Sequence, residues 1–198
     1  MHRGRHQQAK HFYLITLVLA CLLSPLNASA QAEQTNALDE ESRRAMQAAI
    51  AGSDSFVDRF DAEVWLMSMS GRLKRFVKDP HERMALLQSI HRAATRAELQ
   101  PAFVLAIIEV ESGFNPYAVS RVGAQGLMQV MPFWKHEIGQ GQDNLIDAET
   151  NLKYGCTILK YYIKRADGHM AEALARYNGS YGSYRYSRKV MAAWENWR

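Results

Sequence analysis

The stretch "PAFVLAIIEVESG", residues 101–113, places the tightest limit on what this chain can fold into. Pro101 stands where a helix tolerates proline, in the first turn. Gly113 is placed to close the same helix with a left-handed residue. Between them "PAFVLAIIEV" is almost wholly apolar, yet it runs into two glutamates, Glu109 and Glu111. The carbonyls at a helix C-terminus carry partial negative charge, which disfavours a further anion. Apolar surroundings disfavour the ionised carboxyl as well. Both effects raise its pKa, and a raised pKa lets a glutamic acid hold a proton near neutral pH and donate it. This helix end therefore suits a general acid. Residues two apart on a helix do not face each other, so the two glutamates are not a coupled dyad. Periodicity does not separate them.

The first thirty residues read as a leader. "MHRGRHQQAKH" is basic, "FYLITLVLACLL" is apolar but short for a bilayer span, and Ala28-Ser29-Ala30 fits a small-x-small cleavage site. Export follows, to the periplasm or beyond, with a mature chain from Gln31. A rival reading attaches lipid at Cys21, but the two leucines after it fit that less well than "ASA" fits cleavage. With Cys21 removed, Cys156 is the sole cysteine, so no internal disulfide is expected, and it reads as a small buried residue inside an apolar helix. The formal net charge of +4 includes Arg3, Arg5 and Lys10 of the leader. The mature chain is close to neutral, and nothing in its charge argues for nucleic acid. Only the far C-terminus is locally basic, with Arg176, Arg185, Arg188, Lys189 and Arg198.

The rest reads as helices, and the fold class is all-α with room for a small hairpin that the pattern does not locate. Residues 31–40 are polar. A short helix from Glu41, then apolar residues at helical spacing (Phe56, Val57, Phe60, Val64, Trp65, Leu66), form an N-terminal helical arm over residues 31–79, ended at Asp79-Pro80. From residue 80, Met84, Leu87, Ile90, Ala94 and Leu99 make one stripe. "AQGLMQVM" is a candidate short helix before Pro132. Asp147 is placed to cap a long helix running to Asp167-Gly168. Two more helices end the chain, the first stopped by Gly179.

The run "ESGFNPYAVSRVGAQGLMQVMP", followed in order by "NLKYG" at 151–155 and "RYNGS" at 176–180, closely resembles the signature of the soluble lytic transglycosylases. These are lysozyme-like enzymes that cut bacterial peptidoglycan. The resemblance covers residues 80–198 and stops short of the arm. One word departs: the family commonly has Ala-Tyr-Asn-Ala-Gly where this chain has Arg-Tyr-Asn-Gly-Ser. The resemblance implies that Glu111, the glutamate before the serine, is the catalytic acid. It implies that Ser120, Gln129 and Met131 line the sugar cleft and that Tyr177 helps at the reaction centre. It also implies cleavage between N-acetylmuramic acid and N-acetylglucosamine without water, giving 1,6-anhydro ends.

The residues leave some readings open. Gly123 and Gly126 fit a tight turn or close approach to a sugar equally well. Met128 reads as core. Seven of the nine tyrosines lie between Tyr154 and Tyr186, and those on the long helix read as core. No metal or cofactor is expected, because His136 and His169 lack ligand spacing and "GQDNLIDAE" lacks the EF-hand pattern. Asp143, Asp147 and Glu149 are explained by a loop and a helix start, which leaves no second carboxylate in a matching motif. The expected partner is the peptidoglycan strand, with the arm as a possible dock for an envelope or secretion-machine protein, and a monomer is expected. A hydrolytic muramidase, a non-catalytic glycan-binding module and an envelope scaffold are the rival functions.

Overall fold

The computed structural model describes residues 41–198 apart from Met46, Ser53 and Val57. The leader, Cys21 and residues 31–40 lie outside the described residues. The chain divides into two compact units, 1–44 and 45–198, and the second carries everything below. Its helices are α1 (Arg59–Leu73), α2 (Pro80–Arg96), α3 (Pro101–Ser112), α4 (Trp134–Ile138), α5 (Ala148–Arg165), α6 (Met170–Tyr177) and α7 (Arg185–Glu195). Residues 47–51 add a helical stretch before α1. No strand forms among the described residues, so the all-α class holds.

α3 is the helix every other packing choice serves. Phe103 to Ile108 are all buried, and a helix apolar all round has to be wrapped by others. α7 and α2 pack directly on it. α2 in turn packs on α5, α5 on α6 and α6 on α7, which closes a ring, while α1 lies against α2. The wrapping helices are amphipathic. α2 buries Met84, Leu87, Ile90 and Ala94, while Leu99 of the expected stripe falls past the helix end and is only partly buried, and α5 buries Leu152, Cys156 and Leu159. Each such aliphatic side chain contributes about 1.5–3 kcal/mol relative to exposure. Burial also pushes the Cys156 thiol up to about 12, so it stays protonated and inert.

Local chemistry sets the helix ends. Pro101 opens α3, and Gly113, with φ of 57°, closes it. Asp147 caps α5 by accepting from the Thr150 N–H at 2.8 Å, and Asp79 caps α2 through Glu82 at 2.7 Å. Asp79-Pro80 is thus at once the end of the α1 region and the start of the next helix.

Residues 45–79 share the core of the unit: Ala49, Leu66, Leu73 and Val77 join one apolar cluster with Leu87, Phe103 and Leu127. The buried Arg83 guanidinium holds α1 to α2, donating to Ser70 Oγ at 2.9 Å and to the Val77 and Lys78 carbonyls at 2.9 and 3.0 Å. A buried cation is tolerated only when its donors are satisfied in this way.

"AQGLMQVM" differs from expectation. Residues 124–131 are turns, with isolated bridges pairing Val119 with Gln125 and Gln125 with Val130; the short helix falls instead at α4, after Pro132. Gly126 has φ of 74° and Gln129 φ of 50°, a left-handed conformation that no α-helix contains. The buried Asn151 of α5 imposes this shape. Its side chain accepts from the Met128 N–H and donates to the Gln125 and Leu145 carbonyls, each at 2.8 Å. A Cβ on Gly126 would stand 2.4 Å from Asn151 Nδ2, and one on Gly155 would stand 2.4 Å from Met128 Sδ. The "NLKYG" word is therefore the seat on which the loop rests.

Candidate active site

Glu111 is the last residue but one of α3, and its half-buried side chain faces a cleft of about 520 Å³ bordered by α3, the α6–α7 turn and α7. Tyr186, buried on α7, donates its hydroxyl to Glu111 Oε1 at 2.7 Å. The Asn178 side chain, just past α6, also stabilises the carboxylate. Both donors favour the carboxylate, but burial outweighs them and pushes the carboxyl up to about 7. At neutral pH Glu111 is poised between acid and base, the condition for moving a proton in either direction. Tyr186 itself is pushed well above its ordinary range, first by burial and then by the nearby Glu111, so it remains a donor.

Glu109 takes the opposite side of the helix. Arg75, in the turn after α1, reaches its Oε1 at 3.1 Å, and the indole N–H of buried Trp197 donates to Oε2 at 2.7 Å. It ties the arm and the C-terminus to α3 and does not border the cleft. Ser112 fixes the helix end from below: its hydroxyl lies 2.8 Å from the Leu127 carbonyl and 3.2 Å from that of Ile108. Among the described residues no second carboxylate borders the cleft.

The other expected site residues lie on the loop and on α6. Ser120 closes the 120–124 turn, its hydroxyl accepting from the Ala124 N–H at 3.0 Å. Gln129 donates its amide to the Gly126 and Ala118 carbonyls at 2.9 and 3.2 Å. Met131 is half-buried beside it, whereas Met128 is fully buried. None of Ser120, Gln129 and Met131 borders the Glu111 cavity. Burial first, and then nearby Glu111, hold the Tyr177 phenol well above its ordinary range, and its hydroxyl donates to the Met128 carbonyl at 2.8 Å. It joins α6 to the loop.

Two residues of the site went unassigned in the sequence. Asn178 stands inside "RYNGS" directly after Tyr177. Tyr186 lies on the buried stripe of α7 with Val190 and Ala193. A tyrosine on a core stripe has to place its hydroxyl somewhere, and that was the available signal.

Residues 88–194, more than half of the chain, match the model of the Transglycosylase SLT domain family, and the chain belongs to that family. The match includes Glu111, Tyr177 and Tyr186. Curated relatives include the membrane-bound lytic murein transglycosylase C of Yersinia pestis and that of Yersinia pseudotuberculosis, each 34% identical over 49% of this chain. The chain covers 32% of the length of these relatives. Similar solved structures include an inactive mutant of the lytic transglycosylase Slt from Pseudomonas aeruginosa, with 24% identity and a TM-score of 0.45 over 81% of this chain and 26% of that one. The 70-kDa soluble lytic transglycosylase of Escherichia coli has 22% identity and a TM-score of 0.41, over 81% and 26% of the two chains.

Proposed function

We propose that this protein is a lytic transglycosylase of the cell envelope, exported with its leader removed after Ala30, that cuts the glycan strands of peptidoglycan. Residues 80–198 carry the reaction, and the arm buttresses α3 through Arg75 and Glu109. The observation that carries this reading is Glu111: a carboxyl pushed up to about 7, open to a cleft and held by Tyr186.

Glu111 protonates the oxygen bridging N-acetylmuramic acid to N-acetylglucosamine, and that bond breaks. The acetamido group of the muramic acid stabilises the cationic C1. Glu111, now a carboxylate, takes the proton of the muramyl 6-hydroxyl as its oxygen bonds to C1. The products are a free 4-hydroxyl and a 1,6-anhydro ring, with no water consumed and the acid regenerated. A single carboxyl suffices for this route, whereas hydrolysis commonly uses two. Among the described residues Glu111 is the one acid that borders the cleft, which agrees with the route. Ser120, Gln129 and Met131 shape the loop that Tyr177 joins to α6, outside the Glu111 cavity, and the glycan strand runs on from the cavity to this loop.

The test is digestion of isolated peptidoglycan by the protein and by Glu111→Gln, with the soluble fragments weighed. Fragments one water lighter than hydrolysis products, absent with the variant, are expected. Hydrated reducing-end fragments would make the protein a muramidase instead, and fragments from the variant would remove Glu111 from the chemistry.

A further inference from the structure

Part of the cleft wall is not used by the proton transfer. Arg185 and Lys189 stand one turn apart on α7, both exposed, and border the same cavity as Glu111. Among the described residues neither has an ion-pair partner, while Arg75, Arg92, Lys160, Arg176 and Arg198 each reach an acid. Helix stability does not explain them. α7 has no acid in its first turn, and Arg185, Arg188 and Lys189 crowd the end where the helix dipole already presents positive charge. They do not tune the acid either, since the Glu111 shift comes from burial and from its bonds to Tyr186 and Asn178. The same cavity is bordered by Ser180, whose hydroxyl is buried without a hydrogen-bond partner. A buried hydroxyl left unsatisfied costs free energy that a ligand group could recover. Two uncommitted cations beside an unpaired hydroxyl call for an anionic acceptor.

We propose that Arg185, Lys189 and Ser180 form a wall that recognises a carboxylate carried on the muramic acid side of the strand. This rests on the transglycosylase reading above. The sugar rings of peptidoglycan are neutral. Carboxylates occur on the 3-O-lactyl arm of muramic acid, free where the stem peptide has been removed, and on the stem peptide itself. N-acetylglucosamine has neither. A cationic wall on one side of Glu111 therefore distinguishes the two sugars and sets the strand in the register that brings a muramyl C1 and 6-hydroxyl to the acid. Lysine and arginine bind carboxylates through charge-assisted bonds, which are stronger than neutral ones.

Binding is measured on the full protein carrying Glu111→Gln, so that nothing is cut. The ligands are three tetrasaccharides: chitotetraose, a muramyl-glucosaminyl tetrasaccharide with free lactyl carboxylates, and the same sugar with stem peptides. Adding Arg185→Ala and Lys189→Ala together should weaken carboxylate-bearing ligands about 10-fold and leave chitotetraose within about 2-fold. Ser180→Ala should act in the same direction more weakly. About 0.5 M salt should erase the preference of the parent. Loss only with the free lactyl carboxylates assigns the lactyl arm, loss only with peptides assigns the stem, and loss with both shows that the wall takes a carboxylate from either; each supports the wall. Equal loss on chitotetraose, or no loss on either charged ligand, overturns it. Should the wild type cut peptidoglycan while the double variant binds as its parent does, the wall alone falls. Should the wild type neither cut nor bind any of the three, the site reading falls with it.

Discussion

Glu109 and Glu111 share one helix and nearly one address, yet the fold turns one into a tie and the other into an acid. Two residues along an α-helix rotate the side chain by about 200°. Glu109 therefore meets a cation and an indole N–H, Arg75 and Trp197, and its role ends there. Glu111 meets burial and a phenol, and gains a pKa near neutrality with an open cleft in front of it. The chemistry of a carboxyl is set by what the neighbouring helices bring to it, not by its own position along the apolar run.

The largest break between the pair should come from amidation. Glu111→Gln should lower the release of soluble fragments by about 1,000-fold or more, the scale of a general acid working in both halves of a reaction. Glu109→Gln should stay within about 3-fold, because Gln still offers an oxygen to Trp197 and touches nothing in the cleft. Comparable losses in the two variants would undo the contrast.

Stability should run the other way. Near pH 4 Glu111 is protonated folded and unfolded alike, and Glu111→Gln should match the wild type. As the pH climbs past the ordinary value of 4.5, the unfolded state ionises while the folded state resists until about 7. Wild-type stability is lost across that window and then levels off. At pH 8 Glu111→Gln should be the more stable protein by about 3 kcal/mol, read from thermal unfolding across the pH range. Glu109→Ala should instead destabilise by about 1–2 kcal/mol, since it leaves the buried Trp197 N–H without its acceptor. The half-exposed Arg75 adds little to that loss.

Which of the two is the candidate acid was not legible in periodicity, because the answer depends on Arg75, α7 and Trp197, all distant in sequence. Features governed by a residue and its neighbours were legible: Pro101, Gly113 and Asp147 mark helix ends that the structure has. The loop was not. "AQGLMQVM" reads as a helix taken alone, but Asn151, more than twenty residues on, takes its backbone groups and bends it into turns. The motif words carried information that the local pattern lacked. They single out Glu111, and they include Asn151 and Gly155, whose work of seating the loop appears only in three dimensions.

The finest contrast lies between two tyrosines. Tyr177 spends its hydroxyl on the Met128 carbonyl, and Tyr186 spends its own on Glu111. Tyr186→Phe removes a bond that favours the carboxylate, so the Glu111 pKa should rise further. The proposed cycle begins with Glu111 protonated, so the alkaline limb of kcat/KM should move to higher pH. kcat should fall about 3- to 10-fold, because the second half of the proposed cycle needs the carboxylate that Tyr186 stabilises. Tyr177→Phe should cost about 1 kcal/mol of stability through the loosened loop and leave the pH limb where it was. A limb that moves with Tyr177→Phe and not with Tyr186→Phe would show that the wrong phenol has been assigned to the acid.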